Sequence, residues 1–414
     1  MSPKYSLPLE VMIIIAECVY RECKAPGDPE HNQDIVALNH TSQLWREASL
    51  HFLYSHCHIG SRGNFAIENW TTRLSTRYGQ LVKCMDIALS WNHAQWLPRR
   101  EQEMIESGQG GLWEAARDGL ISQLAANLPN LASITFTASH CVSNESAQCL
   151  CLQHYHRTAN AFTNHRLESV YFHGVVTSFC PRLASPILVG SQDSLTSVYF
   201  GDELDGLPSV EQPIELICSF PKLRGLSLAA SVVESRDLGA LHWVCGLEEI
   251  TIADRAEVLI PQPISSERLS ALLSRFSSTL RSLVLRNTVI GGAQGDQLTV
   301  PSDLGHITIH STRDVTFQTL ERFTASRISS LSVYVTVALQ ATPLLNALAA
   351  GAFPKLKRLC VYLNQTWSMP VRWDTGSTSE LRGVCDTRSI ELIVFEGRRR
   401  EPSAKVLRRR VRAA

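Results

Sequence analysis

Apolar and polar positions recur through most of the chain in one frame, Leu-x-x-Leu-x-Leu with conservative apolar swaps. It reads LASITF from Leu131, LESVYF from Leu167, LTSVYF from Leu195, LRGLSL from Leu223 and LEEITI from Leu247. It continues as LRSLVL from Leu280, LGHITI from Leu304, ISSLSV from Ile328, LKRLCV from Leu356 and IELIVF from Ile390, with a weaker VKCMDI from Val82. The clear copies start 36, 28, 28, 24, 33, 24, 24, 28 and 34 residues apart. The fourth and sixth residues of a copy lie two apart, so they share one face of a short strand. One such strand cannot bury its apolar face alone. Stacked copies can, with their strands forming a curved parallel sheet over a continuous core.

The segments between strands carry helical spacing. In residues 267–280, Leu269, Leu272, Leu273 and Phe276 form one apolar helix face. Residues 119–130 and 342–354 read the same way, and each helix stops before a proline. The unit is therefore strand, turn, helix, turn, and the fold class is α/β.

The first fifty-five residues follow another pattern. The run Val11-Met12-Ile13-Ile14-Ile15-Ala16 sits in a helix-like stretch that Leu7-Pro8 opens. A Gly/Pro loop (Ala25-Pro26-Gly27-Asp28-Pro29) separates it from a second helical pattern containing Ile35, Leu38, Ser42 and Trp45. The first helix is apolar around most of its circumference. Leu9, Met12, Ile13, Ala16 and Tyr20 make one stripe, and Val11, Ile14, Ile15 and Cys18 fill the opposite side. A small helical unit covers only one of those sides, so the other is a candidate partner surface.

Composition narrows the function classes. Lys+Arg and Asp+Glu both total 39, which removes a global bias towards nucleic acid or anionic membrane. The apolar run near the start is bracketed by Glu10 and Glu17, with Lys4 the only basic residue before it, unlike an export signal. No stretch reaches the roughly 18 apolar residues of a membrane span. Twelve scattered cysteines, several inside apolar strings such as Leu359-Cys360-Val361, predict free buried thiols and an intracellular protein of cytoplasm or nucleus.

Candidate chemistry is sparse. His140, Cys141, Cys149, Cys151, His154 and His156 cluster in sequence, but their C-x-C and H-x-H spacings are too tight for ordinary zinc knuckles. His51, His56, Cys57 and His58 alternate on a predicted strand and read as packing and surface. Gly291-Gly292-x-x-Gly295 lacks the GK[ST] of a phosphate loop, and Glu248 and Glu249 diverge on a strand. We therefore expect no catalytic residue, metal or cofactor. The tail from Arg398 carries two basic clusters, which fit either a nuclear-import signal or a solvated end.

The repeats resemble leucine-rich repeats over about residues 80–397. The turn residue eight positions after the first Leu, usually Asn or Cys in that family, is here Ser139, Val175, Glu203, Ser231, Arg255, Thr288, Thr312, Thr336, Asn364 or Arg398. Uneven spacing and weak turn residues predict an irregular solenoid. Residues 4–55 resemble the F-box through Leu7-Pro8-x-Glu10-Val11, the Ile-rich helix, Leu38, the Ser42-x-x-Trp45-Arg46 motif and Leu53-Tyr54. The loop at 23–33 is longer than that family's. An F-box followed by such repeats is a layout common among fungal F-box proteins.

The resemblance implies an F-box over 1–55, a leucine-rich-repeat-like solenoid over 56–397 and a basic tail over 398–414. It implies docking onto the Skp-type adaptor of a cullin–RING ubiquitin ligase through Leu7, Pro8, Val11, Ile14 and Ile15, helped by Leu38 and Trp45. Catalysis would belong to other subunits. A protein substrate would lie on the concave sheet face, at the third, fifth and seventh residues of each copy. Those positions include Tyr171, His173, Tyr199, Glu249, Arg286, His306, His310, Tyr334, Arg358 and Tyr362; tyrosine and arginine are enriched in binding hot spots. Loops 287–300 and 364–380 are further candidates. The alternative is a leucine-rich-repeat binding scaffold whose N-terminal helices merely cap the solenoid.

Overall fold

The structure, a computed structural model, describes residues 7–22, 33–60, 63–88, 97–137, 155–173, 181–200, 214–253, 263–292, 298–310, 316–335, 341–364 and 375–397. The sequence-predicted Cys/His cluster, apart from His156, lies outside the described residues, as do the basic tail, residues 23–32 and residues 365–374.

Twelve parallel strands form one sheet in nearly sequential order. They are β1 (His56–Gly60), β2 (Cys84–Ala88), β3 (Ser133–Thr137), β4 (Ser169–His173), β5 (Ser197–Phe200), β6 (Gly225–Ala229), β7 (Glu249–Ala253), β9 (Ser282–Arg286), β11 (His306–His310), β12 (Ser330–Val335), β13 (Arg358–Asn364) and β14 (Glu391–Gly397). Two short strands, β8 (Ile264–Ser265) and β10 (Ile290–Gly291), pair separately. A copy of the repeat frame underlies every strand of the large sheet from β2 to β14.

One backbone device joins each copy to the next. The residue immediately before a strand's first residue offers its carbonyl to two successive N–H groups of the following copy. Ser55 accepts from Lys83 and Cys84, Lys83 from Ala132 and Ser133, and the pattern runs on to Ser329, which accepts from Lys357 and Arg358. Strand entries are thereby stacked in register. The fourth residues then form a buried row, from Met85 and Ile134 through Leu283 and Ile307 to Leu359. In the sixth-residue row, Phe136, Phe172 and Phe200 stack at 5.6 and 5.8 Å between centroids.

Helices between the strands bury the other side of this core. The helix predicted at 267–280 is observed at Ser266–Arg275, capped by the Ser265 hydroxyl, with Leu269, Leu272 and Leu273 buried. Those predicted at 119–130 and 342–354 are Gly110–Ala126 and Ala341–Ala349. The first begins nine residues earlier than its apolar spacing suggests, because its opening turns carry polar partners. Trp113 donates to Glu101, whose carboxylate also accepts from the N–H groups of Asn64 and Phe65 at the start of another helix. Buried Asp118 in the same way accepts from the N–H groups of Arg157 and Thr158. Carboxylates at helix N-termini satisfy orphan donors and suit the dipole.

The turn residue Thr288 is buried and donates to the carbonyls of Arg286 and, across the ladder, Ile252. The hydroxyl there joins two copies across the ladder.

The last copy departs from the sequence-derived frame. Read from Ile390, the frame turns Ile393 and Phe395 inward. The observed register pairs Leu359 with Leu392 and Val361 with Val394, so Leu392 and Val394 face the core instead. One residue is missing from the strand entry. Ser389 takes a left-handed conformation (φ 57°), Ile390 still buries itself, and only Glu391 bonds the Lys357 carbonyl. A one-residue slip exchanges the two faces of a strand.

Three helices precede β1: α1 (Leu9–Glu22), α2 (Gln33–Thr41) and α3 (Gln43–Leu53). Ser42 divides the second helical pattern in two, because its hydroxyl accepts from Trp45 N–H and caps α3. Met12, Ala16, Ile35 and Ala48 are buried, yet none belongs to the continuous core, which starts at Cys57. Tyr54 joins the two parts, stacking on Tyr78 at 4.1 Å. Among the described cysteines, Cys57, Cys218, Cys245, Cys360 and Cys385 are buried, whereas Cys18 is exposed. Among the described residues no helix is long and apolar enough to cross a membrane.

The register of β14 is testable. Leu392→Ser is expected to lower unfolding free energy by roughly 1–2 kcal/mol, and Ile393→Ser by clearly less, since only the first removes apolar area from the core. Urea unfolding of both variants decides it; equal losses would restore the frame read from Ile390.

Candidate functional site

Two surfaces stand out, one on the helical unit and one on the sheet. On α1, Met12 and Ala16 turn inward, while Val11, Ile14 and Cys18 stay exposed, as does Leu7 two residues before the helix. Val11, Ile14 and Cys18 are spaced by three and four residues, which is one helix stripe, and Leu7 extends the apolar surface beyond the helix start. Ile14 is 58% exposed, a large fraction for an isoleucine beside other apolar residues. Pro8 is exposed next to Leu7, and Ile15, Leu38 and Trp45 are half-buried. Ile13, placed by its spacing on the inward stripe, is exposed instead, and Val36 and Leu44 add further apolar surface on α2 and α3. Helical spacing could not reveal these three, because it says which residues share a face and not which face is covered.

On the sheet, the outward third, fifth and seventh residues of each copy form three rows along the ladder. The middle row is less accessible than sequence alternation suggests. Tyr171 and Tyr199 were expected as contact residues, yet each is only 5% exposed. Parallel neighbours sit about 4.8 Å apart, so the two rings stack at 4.8 Å and cover one another. The Tyr199 hydroxyl donates to Glu249 at 3.0 Å. Tyr334 is buried as well. Arg286, His306, Arg358 and Tyr362 are half-buried, and Arg358 pairs with Glu391 at 2.7 Å. His173 lies at the end of β4; its side chain is outside the described set.

A groove of about 740 Å³ lies on this face, lined by Glu249, Thr251, Arg286, His306 and Thr308 together with Glu168, Lys222, Arg224, Glu248 and Arg281. Charges of both signs line it. Arg224 and Glu248 pair at 3.0 Å, and Arg281 and Asp303 at 3.1 Å. Glu248 and Glu249 do diverge, one to Arg224 and the other to Tyr199. The groove is equipped for hydrogen-bonded, charge-matched recognition. His306 lies 2.8 Å from the Thr308 hydroxyl, but burial, reinforced by the Arg358 charge, lowers its pKa to about 4. A base that weak is poorly matched to proton transfer at neutral pH.

Beyond the groove, at the C-terminal ends of the strands, Tyr334, Tyr362 and Phe395 stack at 4.3 and 4.5 Å, with His310 edge-on to Tyr334 at 5.0 Å. Phe395 is the member that the repeat frame missed, because the slip in β14 turns it outward.

At the other end of the sheet, His56 and His58 on β1 face Asp86 on β2. His56 Nε2 lies 2.6 Å and His58 Nδ1 3.4 Å from Asp86 Oδ2. Burial works to raise the Asp86 pKa. The hydrogen bonds from His56, His58 and Thr135 outweigh it and hold the carboxyl well below the ordinary carboxylate range. The sequence shows the two histidines but not the aspartate, since the contact depends on the β1–β2 register.

The His306 environment makes a pH prediction. The unfolded chain protonates this imidazole near pH 6.5 and the folded chain only near 4. Between those values the unfolded state binds more protons, so the contribution is complete above about pH 6.5 and is lost as pH falls towards 4. His306→Gln should remove up to about 3 kcal/mol of the stability difference between pH 7 and pH 4. Urea unfolding at both pH values checks it, an unchanged difference being the contrary result.

No family model matches the chain, and no curated protein is similar to it.

Proposed function

We propose that this chain is a substrate-receptor subunit of a Skp–cullin–RING ubiquitin ligase, with an F-box at its N-terminus and leucine-rich-repeat-like strands holding a protein substrate. The observation that carries this reading is the exposed stripe Val11, Ile14 and Cys18, with Leu7 just before it, on a helix whose opposite side already packs within its own unit. A cap would turn its apolar surface onto the solenoid. Here the buried residues of the helical unit are separate from the solenoid core, and the surplus face points to solvent. An apolar helix face of this kind suits docking into a partner's groove. The Ser42 cap gives the Ser-x-x-Trp spacing of the F-box resemblance a local cause, because it sets where α3 begins.

The substrate side would use the mixed-charge groove and the half-buried Arg286, His306, Arg358 and Tyr362. Arginine and tyrosine in a partly desolvated setting are the residue types that dominate protein recognition. Tyr171 and Tyr199 would support that surface from below. The scaffold alternative keeps one observation in its favour, the Tyr54–Tyr78 stack that seats α3 on the solenoid.

Both halves can be tested in one system. Wild type should capture the Skp-type adaptor, and Val11→Glu/Ile14→Glu should lose at least about tenfold, since a buried unpaired charge costs more than 1.4 kcal/mol. Arg286→Glu/Tyr362→Ala should leave adaptor capture intact while removing proteins that accumulate on wild type when ligase activity is blocked. No adaptor capture by wild type, or equal capture by the α1 variant, would overturn the docking assignment.

A further inference from the structure

We propose that His56, His58 and Asp86 form a binding site for a divalent transition-metal ion of the zinc class, with two imidazoles and one carboxylate as ligands and water completing the shell. The three ligand atoms lie within 4.8 Å of one another. Ligands about 2.0–2.1 Å from a tetrahedral ion stand roughly 3.3–3.4 Å apart. His58 Nδ1 and Asp86 Oδ2 already stand at 3.4 Å. His56 Nε2 is held at 2.6 Å from the same oxygen by a shared proton, which an ion would replace.

The local backbone presents these groups together. His56 and His58 are two apart on one strand and so share a face. Their register partners are Cys84 and Asp86, which sets the carboxylate beside His58 and diagonally from His56. The pairing shifts immediately after His58, where β1 bulges before Gly60. Bulges concentrate at sheet edges and re-aim side chains, and β1 is the edge strand. Access is one-sided: His58 is 44% exposed, whereas His56 and Asp86 are largely covered, at 14% and 19%. An ion therefore has an entry path through His58 and an open position for solvent. Thr135 on β3 bonds the carboxylate and supplies the outer support that metal-ligating carboxylates usually have.

Two imidazoles and a carboxylate suit zinc, copper and ferrous iron better than calcium or magnesium, which prefer all-oxygen shells. Zinc is the natural probe. The site would tie the edge strand, and with it the end of α3 only three residues earlier, to β2. Metal binding would then fasten the junction between the helical unit and the sheet. None of this depends on the ligase reading.

The experiment uses the full chain freed of metal. Zinc is titrated in competition with a chromogenic chelator, and cobalt(II) is added separately while visible and near-ultraviolet spectra are recorded. Wild type should bind one zinc equivalent that His58→Ala weakens at least about tenfold and Asp86→Asn by a similar factor, ligand loss exceeding the outer-support effects of 10–100-fold only in degree. Circular dichroism shows that each variant is folded; His58 is the safer of the two because its ring is half in solvent. The cobalt complex should show visible ligand-field bands without a thiolate charge-transfer band. No zinc binding by wild type, wild-type zinc affinity in both variants, or a strong thiolate band that survives in His58→Ala would overturn the assignment, the last two placing the metal elsewhere in the chain.

Discussion

The structure depends on a carbonyl that serves two donors at each strand entry. From Ser55 to Ser329, one carbonyl per copy accepts from two consecutive N–H groups of the next copy. This fixes where every strand starts relative to its neighbour, and strand phase follows. Fixed phase puts like positions side by side, so the apolar fourth and sixth residues become unbroken rows and the outward residues become three parallel rows on the other face. A sheet with every strand in phase tolerates very different loop lengths, because the loops leave and return at the same two levels. That is how intervals from 24 to 36 residues coexist with an uninterrupted ladder. Loop closure grows costly only slowly with length, so uneven loops are a mild burden.

The same constraint explains what was legible in the sequence. Ten of the strands announce themselves by an apolar phase that survives degenerate spelling, and the two-residue period fixes which side of each is buried. The phase fails where the entry device fails. At β14 only one N–H, from Glu391, reaches the Lys357 carbonyl; Ser389 turns left-handed, and the strand slides by one residue. Nothing in the string IELIVF marks this, since Leu392 and Ile393 are equally apolar. Accessibility was also beyond the pattern. Alternation correctly sends Tyr171 and Tyr199 to the outward face, yet identical side chains at one level of a parallel ladder stack and hide each other. Outward and exposed are different properties in a sheet whose neighbours match in size. The His56–His58–Asp86 group was illegible for a third reason. Its members are close only because two strands thirty residues apart are in register, and neither copy is a strong match to the frame.

The helical unit obeys a different rule. A segment of three short helices has too little interior to cover an isoleucine-rich helix on both sides. Met12 and Ala16 show which side won. Ala16 is fully buried, and Tyr20 of α1 packs against Phe52 of α3 with ring centroids 5.6 Å apart. The larger aliphatics, Val11 and Ile14, are left outside. An ordinary surface would carry polar residues there at no cost to the unit's own packing. Their retention on the outward stripe makes physical sense when another surface removes them from water, at about 25 cal/mol per Å² of apolar area. The same count applies to a docking partner of any kind.

Joining the two parts is a mechanical problem that the edge strand solves. An exposed sheet edge offers unpaired backbone groups and is a hazard for unwanted strand addition. β1 is short, bulged after His58 and preceded almost directly by α3, so its outer side is presented over only a few residues. Tyr54 anchors its entry by stacking on Tyr78, and the His–Asp–His group anchors its face to β2. These contacts place the end of α3 in a defined position relative to the first copies of the ladder. In the proposed receptor, which would hold one protein through α1 and another through the outward sheet face, the stiffness of this short connection would set how well the two bound partners are oriented. Only Tyr54 and Ser55 separate α3 from His56, and Tyr54 is held by Tyr78 while His56 is held by Asp86.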